Sequence, residues 1–169
     1  MRCMMMKESM IQVICGPGKG KSTSAMGRGI SALAKGSNVI MVQFLKGSLD
    51  MDNMEILKRL EPEFKIFRFE KTPVFFDQLS EEEKDEARIC IRNGLNFAKK
   101  VLVTGECDIL ILDEILGILD EGVITQDELC ALIGQARQAE IRLILTGNVY
   151  PDSLDAYVDE VTKLQTRYE

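Results

Sequence analysis

Short apolar runs alternate with longer amphipathic stretches along the whole chain, and this alternation limits the fold more than any other feature. Several runs are apolar at every position, as in Ile109–Leu112, and do not alternate with polar residues. Such strands are typical of a parallel sheet that is covered on both faces. The predicted strands are Met10–Cys15, Asn38–Leu45, Phe64–Phe69, Ile109–Asp113, Ile141–Thr146 and Glu160–Leu164.

The stretches between these strands have the composition of helices. Two of them begin with a capping box, in which a hydroxyl and a carboxylate three residues later satisfy backbone amides reciprocally: Ser80 with Glu83, and Thr125 with Glu128. Strand–helix alternation predicts one α/β domain over residues 1–169, with a mostly parallel sheet, helices on both faces and right-handed crossovers. The predicted helices are Ser22–Ala34, Asn53–Leu60, Glu81–Leu102, Gln126–Gln138 and Leu154–Tyr157.

A glycine-rich segment lies between the first predicted strand and the first predicted helix. Glycines let a backbone wrap closely around phosphate, with its amides directed inward at the positive end of the next helix. Lys21 would reach bridging phosphate oxygens, and the Ser22 hydroxyl would bind a phosphate-associated magnesium ion. The common pattern GxxxxGK[ST] has glycine where this chain has Cys15. The segment predicts a P-loop (RecA-like) nucleotide-binding fold, with ATP bound by Gly16, Pro17, Gly18, Lys19, Gly20, Lys21, Ser22 and Thr23.

A second polar element follows the buried run at Ile109–Leu112, which ends in Asp113 and Glu114. In phosphate-loop proteins a carboxylate at such a strand end lies beside the magnesium ion, directly or through water. We expect one of the two carboxylates to face the metal and the other to anchor the loop or orient the nucleotide. Lys46 and Thr146 should reach the same edge of the sheet, although a lysine there is more often a solvated surface charge.

Three apolar residues, Val74, Phe75 and Phe76, lie in a segment that otherwise has the composition of a loop. This segment follows a predicted strand, so it should lie at the carboxyl edge, where open α/β sheets bind ligands. Large aromatic side chains are usually buried, so the rings could pack into the core. Alternatively, they could line a pocket for a flat hydrophobic ligand.

Composition and charge exclude several classes of function. The chain has no histidine, which excludes a Ser-His-Asp triad and an HExxH zinc site. Its net charge of −6 opposes nonspecific binding to nucleic acid. No run approaches the ~20 apolar residues of a membrane span, and Met1–Ser9 lacks a secretory signal. We expect a cytoplasmic protein with reduced thiols, because the cysteines are odd in number and form no CxxC pair: Cys3, Cys15, Cys90, Cys107 and Cys130.

These motifs together resemble the bacterial, phosphate-loop type of ATP:corrinoid (cob(I)alamin) adenosyltransferase, the type that makes adenosylcobalamin. The segment Gly16–Thr23 is similar to that family's GNGKGKTT, which also lacks the first glycine of the common pattern. The resemblance covers about residues 10 to 165. Three further segments are similar and occur in the same order: Val42–Gly47, Leu112–Glu114 followed by Leu119–Gly122, and Leu145–Gly147.

The resemblance implies a reaction in which cobalt(I) of a reduced corrinoid attacks the 5′ carbon of ATP and inorganic triphosphate leaves. Cobalt(I) is already a strong nucleophile, so no general base is needed. Loop amides, Lys19 and Lys21 would stabilise the departing triphosphate together with Mg²⁺, or with Mn²⁺ in its place. Lys21 and Glu114 are the expected catalytic residues, and Ser22, Glu114 and Asp113 the expected metal ligands.

The resemblance also implies a corrinoid site and partners. Aromatic residues after the third strand lie near the corrin in this family, exclude a lower axial ligand and make cobalt(II) easier to reduce. Phe75 and Phe76 occupy the corresponding segment. The implied partners are an electron-donating flavoprotein or reduced flavin, and a second copy of the chain in a homodimer.

The chain departs from the family at several positions. It has no tryptophan in the aromatic segment, where Asp77 is the expected counterpart. It has Asn148 and Leu116 in place of an arginine and a polar residue. Many members have an additional N-terminal helix, whereas this sequence has only residues 1–9 there, which we expect to be flexible or ordered by ligand. Many members also have a longer C-terminal tail, whereas this sequence ends at Glu169. A non-catalytic relative that binds ATP or corrinoid, or a P-loop ATPase in which Glu114 orients water, are the alternatives.

Overall fold

The computed structural model describes residues 9–44, 55, 57–69 and 76–167. In this part of the chain, six strands form one sheet in which every pairing is parallel. The spatial order is β3-β2-β4-β5-β1-β6, which confirms the predicted α/β class. The strands are β1 (Ile11–Cys15), β2 (Val39–Gln43), β3 (Phe64–Arg68), β4 (Ile109–Asp113), β5 (Arg142–Gly147) and β6 (Glu160–Lys163).

Four helices cover the sheet in the described part of the chain. Both predicted capping boxes are formed, at Ser80 before the second helix and at Thr125 before the fourth. Two short 3₁₀ helices, Phe76–Gln78 and Asp152–Leu154, lie in the connections. The helices are α1 (Lys21–Leu33), α2 (Glu81–Thr104), α3 (Ile115–Asp120) and α4 (Gln126–Gln138).

The helix predictions differ from the structure in two places: one predicted helix is not an α-helix, and one short helix was not predicted. The segment Leu154–Tyr157 is not an α-helix, because Leu154 ends a 3₁₀ helix and the Tyr157 N–H bonds to the carbonyl three residues earlier. The short α3 was not predicted: four of its six residues are Ile or Leu, so no polar face reveals a helical period. Of the predicted helix at 53–60, residues 55, 57 and 58 are helical, 59 and 60 form a turn, and the rest lie outside the described residues.

The two faces of the sheet are packed by different helices. Beneath α1, Ile14, Met41 and Ile111 form a compact core with Ala25 and Ala32 of the helix. On the opposite face, residues of α2, α3 and α4 enclose a larger core. Its strand residues are Ile11, Val13, Cys15, Ile40, Val42, Leu110, Leu112, Leu143 and Leu145.

On the face beneath α1, apolar residues give way to a row of polar residues at the carboxyl edge. Gln43 of β2 is the register partner of both Arg68 in β3 and Asp113 in β4. Thr146 of β5 comes next, since Leu112 is paired with Leu145. Side chains two residues apart share a face, so these four lie on the side of Met41 and Ile111. We call Arg68, Gln43, Asp113 and Thr146 the polar row.

The helices also bear on the predicted absence of a membrane span. Among the helices of the described residues, none combines the length and the apolar composition needed to cross a bilayer.

Candidate nucleotide-binding site

The glycine-rich loop (Gly16–Thr23) carries the chain from β1 into α1. Gly16 has φ 110° and Gly20, the N-cap of α1, has φ 95°. Both values lie in the left-handed region, which residues with a Cβ adopt only at a cost. The turn therefore depends on glycine at these two positions, and it leads directly into the positive end of the helix.

Lys21 closes back over this loop. Its Nζ donates hydrogen bonds to the carbonyl oxygens of Gly16 and Gly18, each at 2.8 Å. The residue is only 9% exposed, so its ammonium group is held inside the curve of the loop. A cation at this position is suited to phosphate oxygens entering the same curve.

The C-terminal segment after β6 supports the loop from outside. The Gly18 N–H donates to the Leu164 carbonyl at 3.0 Å, and the Lys19 N–H donates to Thr166 Oγ1 at 2.8 Å. A Cβ added at Gly18 would lie 2.7 Å from the Leu164 carbonyl group. These contacts join residues about 147 positions apart, and no local sequence pattern announces them.

Asp113 lies at the centre of the polar row and is completely buried. Its Oδ1 accepts hydrogen bonds from the hydroxyls of Ser22 and Thr146, both at 2.7 Å. Its Oδ2 accepts from Gln43 Nε2 at 3.1 Å. The structure therefore joins Ser22, in the first turn of α1, to the carboxylate that ends β4. The sequence analysis expects both beside a magnesium ion, and that role stays a prediction.

Glu114 follows Asp113 in a different conformation. The strand ends at Asp113, and Glu114 has φ 65° and is the N-cap of α3. Its N–H donates to Thr146 Oγ1 at 2.9 Å. A left-handed glutamate is uncommon and costs conformational energy. Thr146 therefore holds both consecutive acidic residues, the first through its side chain and the second through its backbone.

The donor set fits a magnesium ion that is bound together with substrate phosphates. In the described part of the chain, no group of three or more His, Cys, Asp or Glu side chains could hold a metal by itself. Magnesium with a phosphate substrate takes only one or two protein carboxylates and keeps several waters. The Ser22 hydroxyl donates its hydrogen to Asp113, so it presents lone pairs in other directions.

The predicted corrinoid residues are only partly within the described chain. Phe75 lies outside the described residues, as do Val74 and Lys46. Phe76 is half-buried, packs against the core beneath α2 and lies 5.7 Å from the Arg88 guanidinium carbon. For Phe76, the structure therefore includes a core contact, and the corrinoid pocket stays a prediction.

The residues at which the chain departs from the resembled family lie in different settings. Asp77 and Asn148 are exposed, whereas Leu116 is buried in the core of the α2 face. A Cβ on Gly147 would lie 2.5 Å from the Leu116 Cβ. The apolar Leu116 thus fills the contact between α3 and the end of β5.

Cys15 occupies the place where the common phosphate-loop pattern has glycine. Burial raises the pKa of its thiol above the ordinary value, and the positive charges of Lys163 and Lys21 offset this only in part. The thiol is therefore protonated at neutral pH and packs as a small apolar group. The four cysteines of the described chain, Cys15, Cys90, Cys107 and Cys130, are free thiols.

Arg68 is the polar-row residue that the sequence analysis did not single out, and Gln43 appeared there only within a similar segment. A signal was nevertheless available in the strands themselves. On the face beneath α1, the side chains of β2, β3, β4 and β5 change from apolar to polar at the carboxyl end of each strand. In a parallel sheet these ends meet at the edge that binds ligands.

These features define a class of protein. A glycine-rich loop between β1 and α1, with its serine bonded to a carboxylate on a strand that is not adjacent to β1, is typical of phosphate-loop α/β domains. The particular family follows from comparison with known sequences. A sequence model of the ATP:corrinoid adenosyltransferase family BtuR/CobO/CobP matches residues 7–168, and the chain belongs to this family.

Individual relatives agree with this assignment. The chain is 26% identical over 159 residues to the corrinoid adenosyltransferase of Escherichia coli (strain K12), with 94% of this chain and 78% of the relative covered. It is 28% identical over 160 residues to the corrinoid adenosyltransferase CobA of Salmonella typhimurium, with the same coverage. An uncharacterised protein of Nostoc sp. is 29% identical over 161 residues, and the chain spans 40% of its length.

Proposed function

We propose that the chain transfers the 5′-deoxyadenosyl group of ATP to the cobalt(I) of a reduced corrinoid and releases inorganic triphosphate, in the synthesis or salvage of adenosylcobalamin. The bond between cobalt and C5′ forms as the bond between C5′ and its oxygen breaks, and the electron pair of that bond leaves with triphosphate. The observation that carries the proposal is the 2.7 Å contact between Ser22 and Asp113 beside the glycine-rich loop, in a member of this family.

The loop residues Gly16–Thr23 are proposed to bind the triphosphate of ATP. Backbone amides at the start of α1, with Lys19 and Lys21, would stabilise the negative charge that grows on the leaving group. Lys21 supports this role through its buried ammonium group, which already bridges two loop carbonyls. On phosphate binding, these hydrogen bonds would be exchanged for bonds to phosphate oxygens.

Ser22, Asp113 and Glu114 are proposed to hold magnesium, or manganese in its place. When bound, the metal neutralises charge on the triphosphate. Of the three, Ser22 has the clearest support as a direct ligand, because its hydrogen is donated to Asp113. Asp113 orients that hydroxyl, and Glu114 is held at the same edge by Thr146. Lys21 and Glu114 remain the proposed catalytic residues.

The corrinoid is proposed to lie near Phe75 and Phe76, with an electron-donating flavoprotein or reduced flavin supplying the electron for cobalt(I). A homodimer and a cytoplasmic location complete the proposal. Free cysteines in the described chain agree with a reducing compartment. The whole reaction runs without histidine, because the nucleophile is the cobalt of the substrate and the protein has only to align it and stabilise the leaving group.

The test is to identify the phosphate product formed from ATP and Mg²⁺, with and without cobalamin that a chemical reductant holds at cobalt(I). We expect triphosphate only with the reduced corrinoid, together with a light-sensitive cobalt–carbon absorbance. Orthophosphate released regardless of corrinoid would instead indicate an ATPase. Tight binding of both ligands without product would indicate a non-catalytic relative.

The Lys21→Ala variant sharpens this test. We expect its rate to fall by at least about 100-fold, because a charged group that stabilises the leaving triphosphate is removed. Lys35→Ala is the matched control, since Lys35 is exposed just beyond the other end of α1. Full activity of Lys21→Ala would contradict the proposed role of the glycine-rich loop.

A further inference from the structure

Arg68 ends β3 at the outer edge of the polar row, two strands away from Asp113. Its Nε donates a hydrogen bond to Gln43 Oε1 at 2.9 Å. Gln43 in turn donates from Nε2 to Asp113 Oδ2 at 3.1 Å. The three residues are register partners across neighbouring strands, so the parallel pairing itself places them in line.

The two outer residues leave the Gln43 amide only one orientation. Carboxylate oxygens only accept hydrogen bonds, so the Gln43 NH₂ group must face Asp113. A guanidinium group only donates, so the Gln43 carbonyl oxygen must face Arg68. Gln43 is 2% exposed, and water is not available as a substitute partner. Without Arg68, the buried Gln43 carbonyl oxygen would lose its donor.

Arg68 also contributes charge to the row. Among the described residues no carboxylate forms an ion pair with it, and its Nη2 is buried without a hydrogen-bond acceptor. Asp113 is the only carboxylate in the polar row, and two strand spacings, about 10 Å, separate the two backbones. The intervening amide is polarised by both charged neighbours, which strengthens both hydrogen bonds.

We infer that Arg68 is a positioning residue that acts through Gln43 and Asp113 on the Ser22 hydroxyl, and that it thereby sets the affinity of the nucleotide site for magnesium. The inference rests on the proposed function. With Oδ2 held by Gln43, the Asp113 carboxylate directs Oδ1 to the hydroxyls of Ser22 and Thr146. Ser22 then keeps the orientation in which its hydrogen is donated to Asp113 and its lone pairs would be available to a bound magnesium ion.

The experiment measures ATP binding by calorimetry with Mg²⁺ and with EDTA, for the unchanged chain and for Arg68→Met. We expect Arg68→Met to weaken binding with Mg²⁺ by about tenfold, because it leaves a buried acceptor unpaired. Binding in EDTA should change by less than about twofold, since the loop amides and Lys21 stand outside the polar row. A structural defect would weaken both equally.

Two further variants keep the test decisive. Arg142→Met is the matched control, because Arg142 is exposed at the opposite end of β5; we expect unchanged binding. Arg68→Lys keeps the charge and one hydrogen-bond donor, so it should keep more than half of the affinity for ATP with Mg²⁺ that Arg68→Met loses. This variant can also be measured if Arg68→Met folds poorly. In an Asp113→Asn background, Arg68→Met should have no further effect, since the residue through which it acts is already altered.

The results of this ATP-binding experiment distinguish a failure of the positioning role from a failure of the proposed function. If the unchanged chain binds ATP equally with Mg²⁺ and EDTA, the proposed magnesium site and the positioning role are both wrong, whereas adenosyl transfer is tested separately by triphosphate release. If it shows magnesium-dependent binding that Arg68→Met leaves intact, the positioning role is wrong and the proposed function stands. Equal losses in Mg²⁺ and EDTA, or a full additional loss in the Asp113→Asn background, would also overturn the positioning role.

Discussion

The face of the sheet beneath α1 and the face beneath α2, α3 and α4 are alike over most of their length and differ at the carboxyl edge. Both are lined with apolar side chains, mostly Ile, Val and Leu. Beneath α1 the last inward positions are Arg68, Gln43, Asp113 and Thr146. On the opposite face the neighbouring positions are Phe67, Val42, Leu112 and Leu145.

We infer from this difference that the polar edge serves the proposed nucleotide site and that the apolar edge serves stability. Buried polar groups do not stabilise a core more than apolar groups of the same size, and a buried polar group without a hydrogen-bond partner lowers stability. A row of three buried polar residues, Gln43, Asp113 and Thr146, with the half-buried Arg68 at its end, therefore indicates a demand other than stability. Substitutions on the two faces should affect different properties of the protein.

The largest expected effect is on activity, from Asp113→Asn. The variant removes the charge that three donors now satisfy, so the orientation of the Ser22 hydroxyl is lost. We expect the adenosyl-transfer rate to fall by about 100- to 1,000-fold. The assay is triphosphate release, with circular dichroism as a control for folding. An unchanged rate in a folded variant would remove Asp113 from the site.

Leu110→Ala should lower the stability of the protein and leave its rate unchanged, in contrast to Asp113→Asn. Leu110 is completely buried on the α2 face of β4, three residues before Asp113. Deleting its side chain leaves a cavity and should lower the free energy of unfolding by about 2–5 kcal/mol. Denaturant titration measures this loss. The rate per folded molecule at low temperature should stay near that of the unchanged chain, and a parallel fall in rate would contradict the separation of the two faces.

Local signals made the fold and half of the site predictable. The apolar runs, the two capping boxes and the glycine-rich loop each depend on neighbouring residues, and each is where the sequence predicts it. The motifs also indicated that Ser22 and one of the carboxylates Asp113 and Glu114 lie beside the same phosphate site, and Ser22 and Asp113 are in contact. The link from Arg68 to Asp113 was not, because it depends on strand order, and neither composition nor period specifies which strand lies beside β2. The support of the loop by Leu164 and Thr166 is equally nonlocal.

A smaller effect should come from the close packing of α1 on its face. A Cβ at Gly29 would lie 2.7 Å from the Phe64 ring and 3.2 Å from Ile111 Cδ1. Gly29→Ala should therefore cost about 1–3 kcal/mol of stability, and weaken ATP binding as α1 shifts with Ser22. Gly27, two residues earlier, has open space at the same position. Gly27→Ala should stabilise by up to about 1 kcal/mol through helix propensity; equal effects of the two variants in thermal unfolding would contradict this packing.

The smallest expected effect concerns a polar contact on the α1 side that is partly exposed to solvent and lies outside the polar row. Glu160 of β6 accepts hydrogen bonds from Arg28 of α1 at 2.7 Å and from Gln12 of β1 at 3.0 Å. The Arg28 and Gln12 contacts lower the pKa of this carboxyl below its ordinary value. The unfolded chain therefore binds a proton more readily than the folded one, so the stabilisation is present above the unfolded pKa of about 4.3 and is lost as the pH falls through the folded pKa.

Glu160→Gln should accordingly lower stability by less than about 1 kcal/mol at pH 7, since the pair is solvent-screened. The difference from the unchanged chain should shrink as the pH is lowered below about 4 and vanish in more acidic solution, because the wild-type carboxyl is then protonated as well. Thermal unfolding from pH 7 to pH 3 measures it. Glu86→Gln is the control, because Glu86 is exposed on α2 and forms no ion pair in the described part of the chain. A stability difference that persisted in acid would contradict the assignment of the effect to the ionised Glu160 carboxyl. A fall in the adenosyl-transfer rate as large as that of Asp113→Asn would mean that this contact belongs with the polar row.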